Sequence, residues 1–216
     1  MNPKLKTIIV LLFVASLAVG GYWLAKNNNK PSGSSGGDSN NSGQANEQII
    51  QSGAEDYNIQ ESAVVNEKGG ITYSVPQDWK AGTIGYENQG SVFFYSPNVP
   101  AERDANGAPK MPLQTGCLIE STVVYKNYST DDIRKEIAPV PDENGDETNN
   151  IQEITVQGIQ ALKQFFPSQA IGDSTLVYLP KNGKVYTFAV YLPLNEEEKS
   201  PCTESFNKFL EAISIK

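Results

Sequence analysis

Leu176–Leu192, LVYLPKNGKVYTFAVYL, carries the clearest structural signal in the chain. Two runs of β-branched, aromatic and aliphatic residues, 176–179 and 184–192, flank Pro180-Lys181-Asn182-Gly183. Asn-Gly readily supplies the two positive φ angles that a tight hairpin turn demands. In the second run Tyr186, Phe188, Val190 and Leu192 recur at every other position, so they share one face of a strand. The stretch predicts an antiparallel hairpin and makes a sheet the frame of the domain.

Downstream of it, Ser200 and Pro201 suit an N-cap and a first helical position, and Phe206, Phe209, Leu210 and Ile213 recur at helical spacing. That apolar stripe predicts a C-terminal helix lying against the sheet, with Cys202 in its first turn. Upstream, Ile71, Tyr73 and Val75 alternate with polar neighbours until Pro76. Thr83–Glu87 and Ser91–Ser96 have hairpin spacing, and Cys117–Lys126 reads as a long strand. Trp79, just after the first of these strands, is expected to cap a core. Residues 101–115 are rich in turn formers and lack periodicity, which predicts a loop. Ser129 followed by Asp131 and Asp132 signals a short helix that Pro139 and Pro141 stop. Glu153–Gln157 and Ile159–Phe165 read as two further strands around Gly158.

Charge and cysteine content narrow the function classes. The chain has 17 basic and 25 acidic residues and no histidine. Lys4, Lys6, Lys26 and Lys30 surround the N-terminal apolar run, so 17 less these 4 leaves 13 basic residues against 25 acidic ones. A surface of that sign repels phosphate backbones, which argues against nucleic-acid binding. Without histidine the commonest general base and metal ligand is missing. The two cysteines, Cys117 and Cys202, cannot supply the paired ligand sets of a structural zinc site. Outside the cytoplasm they predict a disulfide that would pin the C-terminal helix to the long strand.

Thr7–Ala25, TIIVLLFVASLAVGGYWLA, holds no charged residue. As a helix it would be roughly 28 Å long, close to the hydrocarbon thickness of a bilayer. Residues 1–26 are therefore expected to form a signal anchor, with the six-residue head cytoplasmic and the rest translocated. The alternative is a signal peptide cleaved near Gly20, which would release a secreted protein. Residues 27–56, rich in Asn, Ser and Gly, are expected to be a flexible linker with a root-mean-square span of roughly 30 Å. Residues 57–216 are then an extracytoplasmic α+β domain with helices on the faces of an antiparallel sheet.

ITYSVPQDW (71–79), SVFFYSP (91–97), VYTFAVYL (185–192) and CTESFNKFLEAISI (202–215) together resemble the PsbP-like/Mog1 group. The resemblance runs over about residues 71–215. It implies an α/β/α sandwich built on an antiparallel sheet, and domains that act chiefly in binding or assembly.

The acidic stretch 142–153 places Asp142, Asn144, Asp146 and Glu153 in the register of a calcium-binding EF-hand loop. Glu147 stands where the loop's sharp turn requires Gly, and a proline-broken segment replaces the entering helix. A solvated acidic loop fits the stretch better. Ser205 and Lys208 match a serine/lysine catalytic spacing but have no companion motifs. The acidic run Glu196–Glu198 reads as a solvated approach to the helix rather than a catalytic pair. No catalytic set or nucleotide-binding loop emerges, and no cofactor is expected beyond the calcium candidate. The leading expectation is a non-enzymatic, membrane-tethered domain, held at the membrane by residues 7–25, that binds or assembles with an envelope protein. A small-ligand or calcium-dependent module using 101–115 and 142–150 is the alternative, and a hydrolase the third.

Overall fold

A computed structural model describes residues 50–86, 89–104, 107–137, 140–141, 147–148, 151–168 and 172–216. The expected membrane anchor and most of the linker lie outside the described residues. Among those residues no helix is long and apolar enough to cross a membrane.

The described residues begin with a short strand inside the segment expected to be linker. β1 (Ile50–Gln51) pairs antiparallel with Tyr125 and Val124, and Ser52 N–H donates to Val123 C=O at 2.9 Å. Polar composition hides this segment because backbone hydrogen bonds, not apolar burial, hold it. Ser52 is fully buried, accepting from Asn66 Nδ2 at 3.0 Å and lying 3.1 Å from the Tyr125 hydroxyl. Asn66 in turn accepts from Gly69 N–H at 2.6 Å, which closes the turn between β3 (Ala63–Asn66) and β4 (Ile71–Ser74). With β2 (Asn58–Ile59) before β3, these strands form a small antiparallel sheet that the C-terminal residues complete.

The large sheet is assembled from consecutive hairpins. β5 (Lys80–Tyr86) pairs with β6 (Gln89–Tyr95), which pairs with β7 (Leu118–Tyr125). A two-stranded ribbon, β8 (Val140–Pro141) with β9 (Glu147–Thr148), precedes β10 (Ile151–Val156) and β11 (Ile159–Phe166). β12 (Ser174–Lys181) and β13 (Lys184–Tyr191) are the hairpin read from LVYLPKNGKVYTFAVYL. Asn182 and Gly183 have φ of 54° and 72°, the two left-handed residues that the Asn-Gly turn requires. The spatial order is β10-β11-β12-β13-β7-β6-β5, all antiparallel, with β1 continuing along β7. β7 and β13, each with seven of eight residues buried, lie in the interior of the sheet.

Both faces of this sheet are covered. On one face Tyr186, Phe188, Val190 and Leu192 meet helix α2 (Glu196–Ala212) and the small sheet, as the alternation predicts. β14 (Ser214–Ile215) follows α2 and pairs with β4, tying the helix end to the small sheet. On the other face Val185, Ala189 and Tyr191 pack with Val99, Leu113 and Ile133 of helix α1 (Thr130–Glu136). Trp79 packs partly buried against the α2-side core, as expected. Among the described residues the architecture is a sheet-rich α+β fold with antiparallel sheets and two α-helices.

One helix boundary differs from expectation. α2 starts at Glu196, capped by Asn195, whose Oδ1 accepts from Glu197 N–H at 3.1 Å, so Pro201 lies inside the helix rather than at its start. The three glutamates 196–198 in the first turn complement the positive helix end and extend the helix upstream of the Ser-Pro signal. α1, by contrast, starts where expected. Ser129 Oγ accepts from Asp132 N–H at 3.2 Å and Asp132 Oδ2 accepts from Ser129 N–H at 3.1 Å, a reciprocal capping box. Ser129→Ala is expected to cost about 1 kcal/mol, measurable as a lower urea midpoint with unchanged slope.

Candidate functional site

The α1-side face of the sheet carries a buried carboxylate at its centre. Glu120 lies midway along β7, opposite Phe93 of β6 and Ala189 of β13, and its residue is 7% exposed. Strand alternation places it on the same face as Leu118 and Val124, so it cannot reach solvent from the strand without displacing the cover. Its Oε1 accepts from Ser91 Oγ at 2.6 Å and its Oε2 accepts from the Tyr191 hydroxyl at 2.9 Å. Burial pushes its pKa from an ordinary 4.5 up to about 7, against the lowering effect of the Ser91 and Tyr191 hydrogen bonds. Burial, and then the charge of Glu120, raise the Tyr191 hydroxyl well above its usual value, and burial also raises Tyr178 beside it.

The polar stripe continues along the strands. Thr122 follows Glu120 on the same face, opposite Thr187, and its Oγ1 is buried without a hydrogen-bond partner. A second polar pair, Tyr73 OH and Ser121 Oγ at 3.1 Å, sits on the opposite face. Both oxygens of Glu120 are engaged by hydroxyls within the sheet. The chemistry this arrangement supports is proton uptake and release: either hydroxyl can reverse its hydrogen to accept from a protonated carboxyl without moving a heavy atom.

The cover over this face is itself anchored. Cys117, immediately before β7, and Cys202, in α2, form the expected disulfide, with Cα atoms 5.3 Å apart and both residues buried. Glu198 of α2 accepts from Gly116 N–H at 2.6 Å and from Asn98 Nδ2 at 2.9 Å. The residue expected to be merely solvated thus holds the 96–117 connection to the helix. Gly116 has φ 84°, and a side chain there would collide with Val99, so the connection requires glycine at this point.

Of the calcium-loop candidates, Glu153 alone lies among the described residues. Asp142, Asn144 and Asp146 lie outside the described residues. Glu153 has a 73% exposed side chain and pairs with Arg134 of α1 at 2.6 Å. Among the described residues no group of three or more His, Cys, Asp or Glu is positioned to hold a metal ion. Ser205 donates to the Pro201 carbonyl at 2.9 Å, a bond along its own helix, so it is engaged by the backbone rather than by Lys208. Glu120 was not singled out in the sequence. The available signal was an acid inside the strand LIESTVVY, among residues otherwise suited to burial.

No family model matches the chain, and no curated protein matches it. Two solved structures align with part of the chain. One, from Bacteroides thetaiotaomicron VPI-5482, is 14% identical with a TM-score of 0.40, over 68% of this chain and 45% of that one, so this chain spans less than half of its length. The other, LpqN of Mycobacterium tuberculosis, described as involved in cell envelope biogenesis, is 15% identical with a TM-score of 0.38, over 68% of this chain and 83% of that one.

Proposed function

We propose that this protein is a non-enzymatic, membrane-tethered extracytoplasmic domain that recruits an envelope protein by strand addition to the open edge of its sheet. The observation that carries the reading is the state of β5. It ends the large sheet, runs for seven residues, and from Ala81 to Tyr86 contains no charge and no proline. Natural edges are ordinarily blunted by charge, proline, bulges or shortness. The opposite edge, β10, carries Glu153 paired to Arg134, and the outer strands of the small sheet are only two residues long.

Register tells which backbone groups β5 offers. Gly90 N–H donates to Ser52 C=O at 2.8 Å, so Gly90 faces away from its partner Gly85. Alternation then turns the N–H and C=O of Ala81, Thr83 and Gly85 outward. An extended segment of a partner would find its hydrogen bonds there, the mode of strand augmentation. The disulfide supports the compartment, since such bonds persist where the environment is oxidising. The anchor at 7–25 supports the tether, and the PsbP-like/Mog1 resemblance, with its binding and assembly roles, belongs to the same reading. This activity needs no cofactor; calcium on the 142–153 loop would be an accessory to it.

Thr83→Pro removes one outward N–H and leaves the β6 pairing intact, as proline is tolerated on an edge. In pull-downs from cross-linked, detergent-solubilised membranes, the full chain should recover a reproducible envelope protein that Thr83→Pro loses, with both proteins melting within about 2 °C of each other, the span of a surface change below 1 kcal/mol. Equal recovery by both would reject strand addition, and no reproducible partner for either would reject the assembly role.

A further inference from the structure

We infer that Glu120 makes this domain proton-responsive: ionisation of its carboxyl weakens the sheet face that lies beneath α1 and the 96–117 connection. The inference stands on where the group is. It occupies the centre of the sheet between β6 and β13, is 7% exposed, and among the described residues has hydroxyl partners alone, Ser91 and Tyr191. A carboxylate in that setting has lost its hydration and gained no counter-ion.

The charged and titratable groups of the surrounding elements are committed elsewhere. β6 presents Ser91, β13 presents Tyr191, and β12 presents Tyr178, whose charge would bear on Tyr191. On α1, Arg134 pairs with Glu153 at 2.6 Å, Lys135 with Asp132 at 3.7 Å, and Glu136 with Lys126 at 3.5 Å, while Asp131 is exposed. In the connection, Arg103 stacks over Tyr95 at 4.8 Å and donates to Pro100 C=O, Lys110 pairs with Glu102 at 3.3 Å, and Asp104 accepts from Ala108 N–H. Among the described residues none of these cations approaches Glu120.

The second strand of the inference is compositional. The chain has no histidine, the side chain that ordinarily changes charge between pH 5 and 8. With its pKa raised from 4.5 to about 7, Glu120 takes over that range. The sign follows from proton linkage. Between these two values the folded state holds a proton that the unfolded state has released, so stability falls as pH rises through the window and levels off above 7. The limiting effect of a 4.5-to-7 difference is an unfolding constant about 300-fold larger on the alkaline plateau than on the acid one. Mildly acid surroundings keep the α1-side face closed; neutral to alkaline ones loosen it.

The test compares the full chain with Glu120→Gln, which keeps the side-chain volume and removes the charge. Urea unfolding from pH 5.5 to 8.5 should show the wild-type unfolding constant rising roughly 30-fold, and the variant constant changing less than about threefold over the same range, because carboxyl groups of ordinary pKa are already ionised above pH 5.5 and the chain has no histidine. Proteolytic cleavage within 96–117 should accelerate from pH 6 to pH 8 in the wild type relative to the variant. Carboxyl carbon NMR of wild-type Glu120 gives a midpoint that does not depend on the variant folding. A midpoint at or above 6.5 supports the inference, and one below 5.5 overturns it, as do parallel pH profiles for the two proteins.

Discussion

Removing the Cys117–Cys202 bridge is expected to destabilise the domain by about 4 kcal/mol, within the 2–5 kcal/mol usual for native disulfides. The sequence separation of 85 places the bridge among the longer loops, where the restriction of the unfolded chain is large. Structure adds a local reason. The bond joins the residue that leads into β7 to the second turn of α2, beside the point where Glu198 holds Gly116. Three connections there, the disulfide, the Glu198 bond and the Ser96 Oγ bond from Cys117 N–H at 2.9 Å, fix one corner of the fold. Both cysteines are buried, so a Cys117→Ala/Cys202→Ala pair leaves a small void and no unpaired thiol. The melting temperature should fall by roughly 8–16 °C for a domain of this size. The wild type treated with reductant should match the double variant. A shift under about 2 °C in both would mean that the corner is held without the bond.

What the sequence revealed and what it concealed divide along physical lines. The β12–β13 hairpin was legible because its turn is local: Asn182 and Gly183 set the geometry within four residues, and the alternation on either side sets the buried face. The α1 cap was legible for the same reason. β1 was not, since Ile50 and Gln51 owe their place to backbone pairing with residues more than 70 positions away. Nor was the start of α2, because Ser200-Pro201 imitates a helix start that Asn195 and three glutamates already provide five residues earlier. Glu120 stayed hidden for a different reason. In LIESTVVY, three consecutive polar residues suggest a strand with one wet face, and only the way α1 and the 96–117 connection fold back over the sheet, which no local alternation encodes, makes that face dry. The cysteines were legible through compartment rather than pattern. The open edge at β5 is a property of strand order, which no local stretch encodes.

Phe209→Ala is expected to cost about 3–5 kcal/mol, comparable with losing the disulfide. Phe209 is 2% exposed, and its ring lies 4.9 Å from Phe94, 6.1 Å from Tyr73 and 6.4 Å from Phe188, measured between ring centres. Those partners belong to β6, β4 and β13, so one side chain of α2 joins the helix to both sheets. Deleting it loses the transfer energy of the ring and leaves a cavity walled by other rings, which the rigid sheet behind can close only in part. Phe209→Leu should recover much of the loss, to within about 1.5 kcal/mol of wild type, because it keeps most of the volume. Equilibrium urea unfolding checks both values, and its slope distinguishes two ways of failing. If α2 and the small sheet are cooperative with the large sheet, the Phe209→Ala slope matches wild type and only the midpoint moves. A shallower slope would mean that α2 and the small sheet detach first. The same helix carries Cys202, so the two lesions should couple: combined with the cysteine pair, Phe209→Ala should depart from additivity by about 1 kcal/mol or more, the mark of sites that share one structural element.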